Sequence, residues 1–122
     1  MLDHFTIGVT DLNRAKAFYD KALKPLGVRR LYADGKNFAG YGVGEKAFYW
    51  IGTRDGTQTG AHIAFTAADR ALVDKFYKAA LEAGGAGNGA PGLRPHYHDH
   101  YYGAFVLDPD GHNIEAVCHQ PG

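Results

Sequence analysis

Apolar and polar residues alternate at the start of the chain. Phe5, Ile7 and Val9 face one way, and His4, Thr6 and Gly8 the other, which is the period of a half-buried strand. The period then lengthens to that of a helix: Ala15, Phe18, Ala22 and Leu26 form one stripe. Thr10-Asp11 precedes it, with side-chain oxygens suited to the free N–H groups of a first turn. Gly27 follows it, as a left-handed helix end prefers. Three strands are predicted next, around 28–32, 36–42 and 45–52, with turns at Ala33-Asp34-Gly35 and Gly42-Val43-Gly44.

The same order recurs. The segment HFTIGVTDLNRAKAFYDKAL, from His4, lies without a gap over HIAFTAADRALVDKFYKAAL, from His62. His4 falls on His62, Asp11 on Asp69, Phe18 on Phe76, Tyr19 on Tyr77 and Gly27 on Gly85. The second helix starts at Asp69, carries Val73, Phe76, Tyr77, Ala80 and Leu81 on its stripe, and ends at Gly84-Gly85. Residues 84–91 are too glycine-rich for order by local propensity and read as a loop. Strands are predicted near 94–98, 101–108 and 112–119, with Asp108-Pro109-Asp110-Gly111 as a hairpin turn. The expected fold is α+β, a single domain over 1–122. Two βαβββ modules, about 1–53 and 61–122, are joined by a linker at about 54–60. Their strands form a curled mixed sheet, a cup, with the helices on its outer face.

Composition narrows the setting. The chain has 122 residues, 13 basic and 13 acidic, so no strong field attracts nucleic acid or an anionic membrane. It has no apolar run long enough for a span. Its first residues lack the basic and apolar regions of a signal peptide. The single Cys118 excludes an intrachain disulfide, and a cytoplasmic address is expected. With 17 glycines, 7 Phe and 8 Tyr, the chain suits tight turns and a cup lined with rings.

Face assignment points to chemistry. The apolar faces want the helices, so His4, His62 and Glu115 point onto the opposite side of the sheet. Two imidazoles and one carboxylate suit one first-row divalent metal ion (Fe, Mn, Ni, Co or Zn) and leave positions open for water or substrate. Without a cation such a buried set must satisfy its own polarity.

Residues 94–102, RPHYHDHYY, add His96, His98 and His100, which would share one face of a strand. They read as acid/base and hydrogen-bonding groups above the metal, with His98 as the proton carrier. Among the aromatic strand residues, Tyr49, Trp50, Tyr101 and Phe105 are candidates to contact a flat or apolar substrate. His112, after the hairpin turn, and His119, near the C-terminus, read as exposed. Cys118 reads as a buried small hydrophobe.

At these residues the sequence resembles the vicinal oxygen chelate superfamily of glyoxalase I, extradiol dioxygenases, methylmalonyl-CoA epimerase, and fosfomycin and bleomycin resistance proteins. The most specific stretches are His4 to Leu12 followed by Phe18-Tyr19, then His62-Ile63-Ala64-Phe65, and Asp108-Pro109-Asp110-Gly111-His112-Asn113-Ile114-Glu115. The resemblance implies paired βαβββ units, metal ligands at the strands identified above, and a homodimer. It implies no single activity, because members share a scaffold and differ in chemistry. Glyoxalase I and the epimerase place a fourth, acidic ligand on the last strand of the first module, where this chain has Tyr49 or Trp50. The dioxygenase pattern has a histidine, an apolar-Tyr pair, and Asp-Pro before the Glu. His98 and 108–115 match, but the pair is Ala104-Phe105, leaving Tyr102 as a substitute hydroxyl out of register. The fosfomycin proteins use basic groups beyond the Glu, which residues 118–122 lack. Two functions are therefore expected as alternatives. One is a divalent-metal enzyme of lyase, isomerase or dioxygenase type, acting on a small molecule that chelates through adjacent oxygens. The other is a metal-free binding or resistance protein of the bleomycin-resistance type.

Overall fold

The computed structural model describes residues 1–53 and 56–122. In chain order the elements are β1 (Phe5–Gly8), α1 (Leu12–Ala22), a 3-10 turn (Lys24–Leu26), β2 (Arg29–Ala33), β3 (Phe38–Val43) and β4 (Lys46–Gly52). They continue with β5 (His62–Thr66), α2 (Arg70–Glu82), β6 (Ala86–Leu93), β7 (Tyr102–Leu107) and β8 (Asn113–Cys118). They build two mixed sheets, ordered β1-β4-β3-β2 and β5-β8-β7-β6. In each, the first strand runs parallel to the last and the remaining pairs are antiparallel. This is the expected duplicated βαβββ order. Residues 54 and 55 of the expected linker lie outside the described residues.

The helices begin where the capping residues stand. The Asp11 carboxylate accepts from the Arg14 amide at 3.0 Å, and Asp69 from the Leu72 amide at 2.9 Å. Helix α1 buries Leu12, Ala15, Phe18, Tyr19 and Ala22; α2 buries Val73, Phe76 and Ala80. Burial of a ring such as Phe18 or Phe76 contributes about 1.5–3 kcal/mol. Leu81 is exposed. The first module does not end its helix directly on glycine. A 3-10 turn intervenes, and Gly27, at φ 76°, closes that turn.

The two modules share one core and a set of polar ties. Phe65 of β5 meets Tyr49 of β4 edge-on at 5.4 Å. The Tyr19 hydroxyl donates to the Asp108 Oδ2 atom, while Asp108 Oδ1 accepts from the amides of Asp110 and His112, both at 2.9 Å. His112 is fully buried, which corrects its reading as exposed. Its Nδ1 accepts from the Ala61 amide and its Nε2 lies 3.2 Å from the Gly8 carbonyl. A carbonyl only accepts, so Nε2 carries the proton. The turn after β7 folds this ring inward beneath β1, where a backbone donor and acceptor await it.

Two further expectations fail between residues 84 and 101. The glycine-rich stretch read as a loop contains β6, paired with β7 through register shifts around Gly87, Gly89 and Gly92. Nonlocal pairing overrides the poor local propensity, and the bulges absorb the irregularity. The strand predicted near 94–98 is instead a compact turn. The Arg94 carbonyl accepts from the amides of Tyr97 and His98, and Tyr101 donates to the His98 carbonyl. His96, His98 and His100 therefore share no strand face.

Candidate functional site

Each sheet buries one face against the helices and leaves the other open. On the open face of the second sheet, His62 Nε2 lies 2.8 Å from Glu115 Oε1. Glu115 is only 1% exposed, whereas 55% of the His62 side chain is open to solvent, so the pair forms a buried acid with an accessible lip. The Tyr101 hydroxyl donates to the other oxygen, Oε2. Burial, and then the Glu115 carboxylate, push this hydroxyl above the ordinary tyrosine range and keep it a donor. A Cβ at Gly103 would come within 3.3 Å of Glu115 Oε2 and 3.1 Å of the Tyr101 ring. The missing side chain gives these two groups room.

On the open face of the first sheet, His4, Thr6, Phe38 and Trp50 line a shallow pocket of about 210 Å³. His4 Nδ1 lies 2.6 Å from Asp3 Oδ1, which Lys46 Nζ also approaches at 2.7 Å. A carboxylate only accepts, so a neutral His4 carries its proton on Nδ1 and presents Nε2 outward, as a metal-binding imidazole does. Within the chain His4 does not join His62 and Glu115. Among the described residues no three of His, Cys, Asp and Glu gather into a metal-holding group.

Strand register decides which residue takes the acid's place in the first module. Trp50 pairs with Thr6 as Glu115 pairs with Ala64, and the repeat sets Thr6 on Ala64. Trp50 is thus the counterpart of Glu115, and Tyr49 is the counterpart of the core residue Ile114. Tyr49 is fully buried among Phe5, Tyr19, Tyr41 and Phe65, which corrects its expected place against substrate. Tyr102 is corrected as well. Strand alternation turns it to the helix side, where its hydroxyl donates to Asp74 at 2.6 Å and the Arg70 guanidinium covers its ring.

The other candidates divide. Phe105 shares a sheet face with Glu115 and lies beside His62, with ring centroids 6.0 Å apart, but it is buried. His98 does not reach Glu115. Its ring packs 5.7 Å from His119, which packs edge-on against Tyr101 at 5.2 Å. His119, just past the end of β8, is exposed, as its place near the C-terminus implies, and Cys118 is buried, as its strand position implies. His96 and His100 lie exposed in the turn, His96 against Tyr97. Two residues that periodicity does not mark also belong here: Asp3, through His4, and Arg94, whose guanidinium covers the Phe105 ring at 5.4 Å.

The duplicated fold meets its match in known proteins. The model of the glyoxalase/bleomycin resistance protein/dioxygenase superfamily matches residues 1–116. The chain belongs to this superfamily. A glyoxalase/bleomycin resistance protein from Albidiferax ferrireducens T118 is 28% identical, with 99% of each chain covered and a TM-score of 0.84. A glyoxalase from Bacillus halodurans, itself so assigned provisionally, is 28% identical over 97% of this chain and 95% of its own, with a TM-score of 0.72. A lactoylglutathione lyase from Agrobacterium tumefaciens shares the fold at 17% identity, covering 97% and 92%, with a TM-score of 0.71. No curated protein matches the chain. Among the described residues, no helix is long and apolar enough to cross a membrane.

Proposed function

We propose that this superfamily member is a divalent-metal enzyme acting on a small molecule through adjacent oxygens. The carrying observation is that His62 Nε2 and Glu115 Oε1 lie 2.8 Å apart, an imidazole nitrogen and a carboxylate oxygen side by side on one sheet face. Such a donor set fits a first-row ion: Fe, Mn, Ni, Co or Zn. The third donor, His4, stands on the other sheet with its Nε2 free. In this reading a second copy of the chain supplies it, and the protein is a cytoplasmic homodimer whose cup closes between copies.

The chain's own groups have separable tasks. His62, Glu115 and His4 hold the ion. Tyr101 fixes the Glu115 carboxylate through Oε2. Phe105 and Trp50 shape the cup, and His98 carries protons at its rim. When bound, the ion supplies a Lewis acid for chelating oxygens. Trp50 in place of a fourth acid leaves coordination positions to water and substrate. Lyase, isomerase and dioxygenase chemistry all fit that arrangement.

A metal-free binding protein is the second reading. It is favoured by the mutual satisfaction of His62, Glu115 and Tyr101. Elemental analysis of untagged protein, purified without chelator beside a Glu115→Ala variant, separates the two. The enzyme reading expects about one ion per chain, lost in the variant. No metal in either protein, and no uptake on soaking, would overturn it in favour of the binding protein.

A further inference from the structure

On the same side of the second sheet, Arg94 is held in place by its surroundings. Its backbone is fixed at the neck of the 94–101 turn: its amide donates to the Tyr101 carbonyl at 2.7 Å, and its carbonyl accepts from Tyr97 and His98. Its guanidinium lies over the Phe105 ring, and Nη2 donates to the Ala90 carbonyl at 2.9 Å. Gly89 and Gly92 make room for it, since a Cβ at either would come within 3.3 and 3.1 Å of a guanidinium nitrogen. Phe105 in turn pairs with Glu115 in the sheet and packs beside the His62 ring. Arg94, Phe105, His62 and Glu115 therefore form one continuous row of contacts, in which Arg94 and His62 are the accessible members and Phe105 and Glu115 are buried beneath them.

The cation on this surface has no anion. Among the described residues no carboxylate lies within ion-pair distance of Arg94, as is also true of Arg29 and Arg70; what sets Arg94 apart is its place over Phe105 beside His62. Glu115 does not serve it, because both its oxygens are engaged by His62 and Tyr101. Ala90 uses one of five guanidinium N–H donors, leaving a planar fork that matches a carboxylate.

We infer that Arg94 binds a carboxylate of the substrate, so that the site takes a small organic carboxylate whose neighbouring oxygens lie toward His62 and Glu115. This rests on the reading of the open face as a small-molecule site, and a single cation on an aromatic ring matches a monoanion better than a phosphate dianion.

Calorimetric titration tests it with salicylate and pyruvate, their neutral amides, and inorganic phosphate, on metal-free and Mn(II)-loaded protein. Wild type is expected to bind at least one carboxylate about tenfold more tightly than its amide. Arg94→Gln should erase that preference, and Arg94→Lys, which keeps charge without the fork, should retain part of it. Equal binding of acid and amide, no binding of either carboxylate, an unchanged preference in Arg94→Gln, or a preference for phosphate would each overturn the inference. The metal reading fails separately: if Mn(II) is not taken up, the carboxylate preference of the metal-free protein still reports on Arg94.

Discussion

Trp50 and Glu115 hold the same register position in their two sheets, opposite Thr6 and Ala64 respectively. One half of the repeat keeps an acid and the other presents an indole, which lies flat on Gly40. Trp50→Glu would restore an acid to the vacated position. Its expected outcome is tighter metal binding, about tenfold, read by competition with a chelating dye. Loss of the Trp50 ring contacts should cost on the order of 1–3 kcal/mol of stability. Unchanged metal affinity would remove Trp50 from the neighbourhood of the ion.

In the proposed homodimer, ligands drawn from both copies would make complementation possible. His4→Ala and Glu115→Ala proteins are each expected to bind no metal. Unfolded together and refolded as a mixture, they should regain it, because each mixed dimer holds one site with His4 from one copy and His62 and Glu115 from the other. Elemental analysis after gel filtration measures the recovery. No recovery in a confirmed mixed dimer would place the three ligands otherwise.

The Tyr19 hydroxyl is one of three donors on the buried Asp108 carboxylate. Tyr19→Phe keeps the ring and removes that donor, leaving one oxygen of a buried acid unsatisfied. A loss of about 1.5–3 kcal/mol is expected from urea unfolding. Asp108→Ala should lose more, because the amides of Asp110 and His112 are then orphaned. Equal stability of Tyr19→Phe and wild type would show that this tie contributes nothing.

Burial raises the hydroxyls of Tyr19, Tyr41 and Tyr49 above the ordinary tyrosine range, with Asp20 adding to the shift of Tyr41. Each folded group therefore keeps a proton that the unfolded chain releases. The sign follows: their contribution is complete below pH 10 and falls as the pH rises beyond it, by about 1.4 kcal/mol per pH unit for each tyrosine. Urea midpoints followed above about pH 9 should fall less steeply in Tyr49→Phe than in wild type. Identical slopes would mean the fold does not hold the Tyr49 proton.

What the sequence revealed was local. Asp11 and Asp69 mark helix starts because a cap acts within one turn, and alternation set Glu115 against Ile114 because a strand's faces depend only on parity. What it concealed depends on partners far along the chain. The strand over 86–93 exists because β7 lies beside it, against the local preference of its glycines. Whether Tyr49 or Trp50 faces the open side depends on register with β1. His112 is inside because Gly8 and Ala61 supply its hydrogen bonds. Arg94 stands out only when Phe105 and the lack of a neighbouring acid are seen together.

The turn at 108–112 is completed from elsewhere in the chain: Tyr19 of α1 reaches Asp108, and the Gly8 carbonyl meets His112. A chain made of two like units might have folded as two separate transitions. Here the last hairpin, which carries Glu115 on its second strand, is tied to groups of the N-terminal half. A change in α1 at Tyr19 therefore acts on the turn that leads into the strand of Glu115, across the boundary between the two halves.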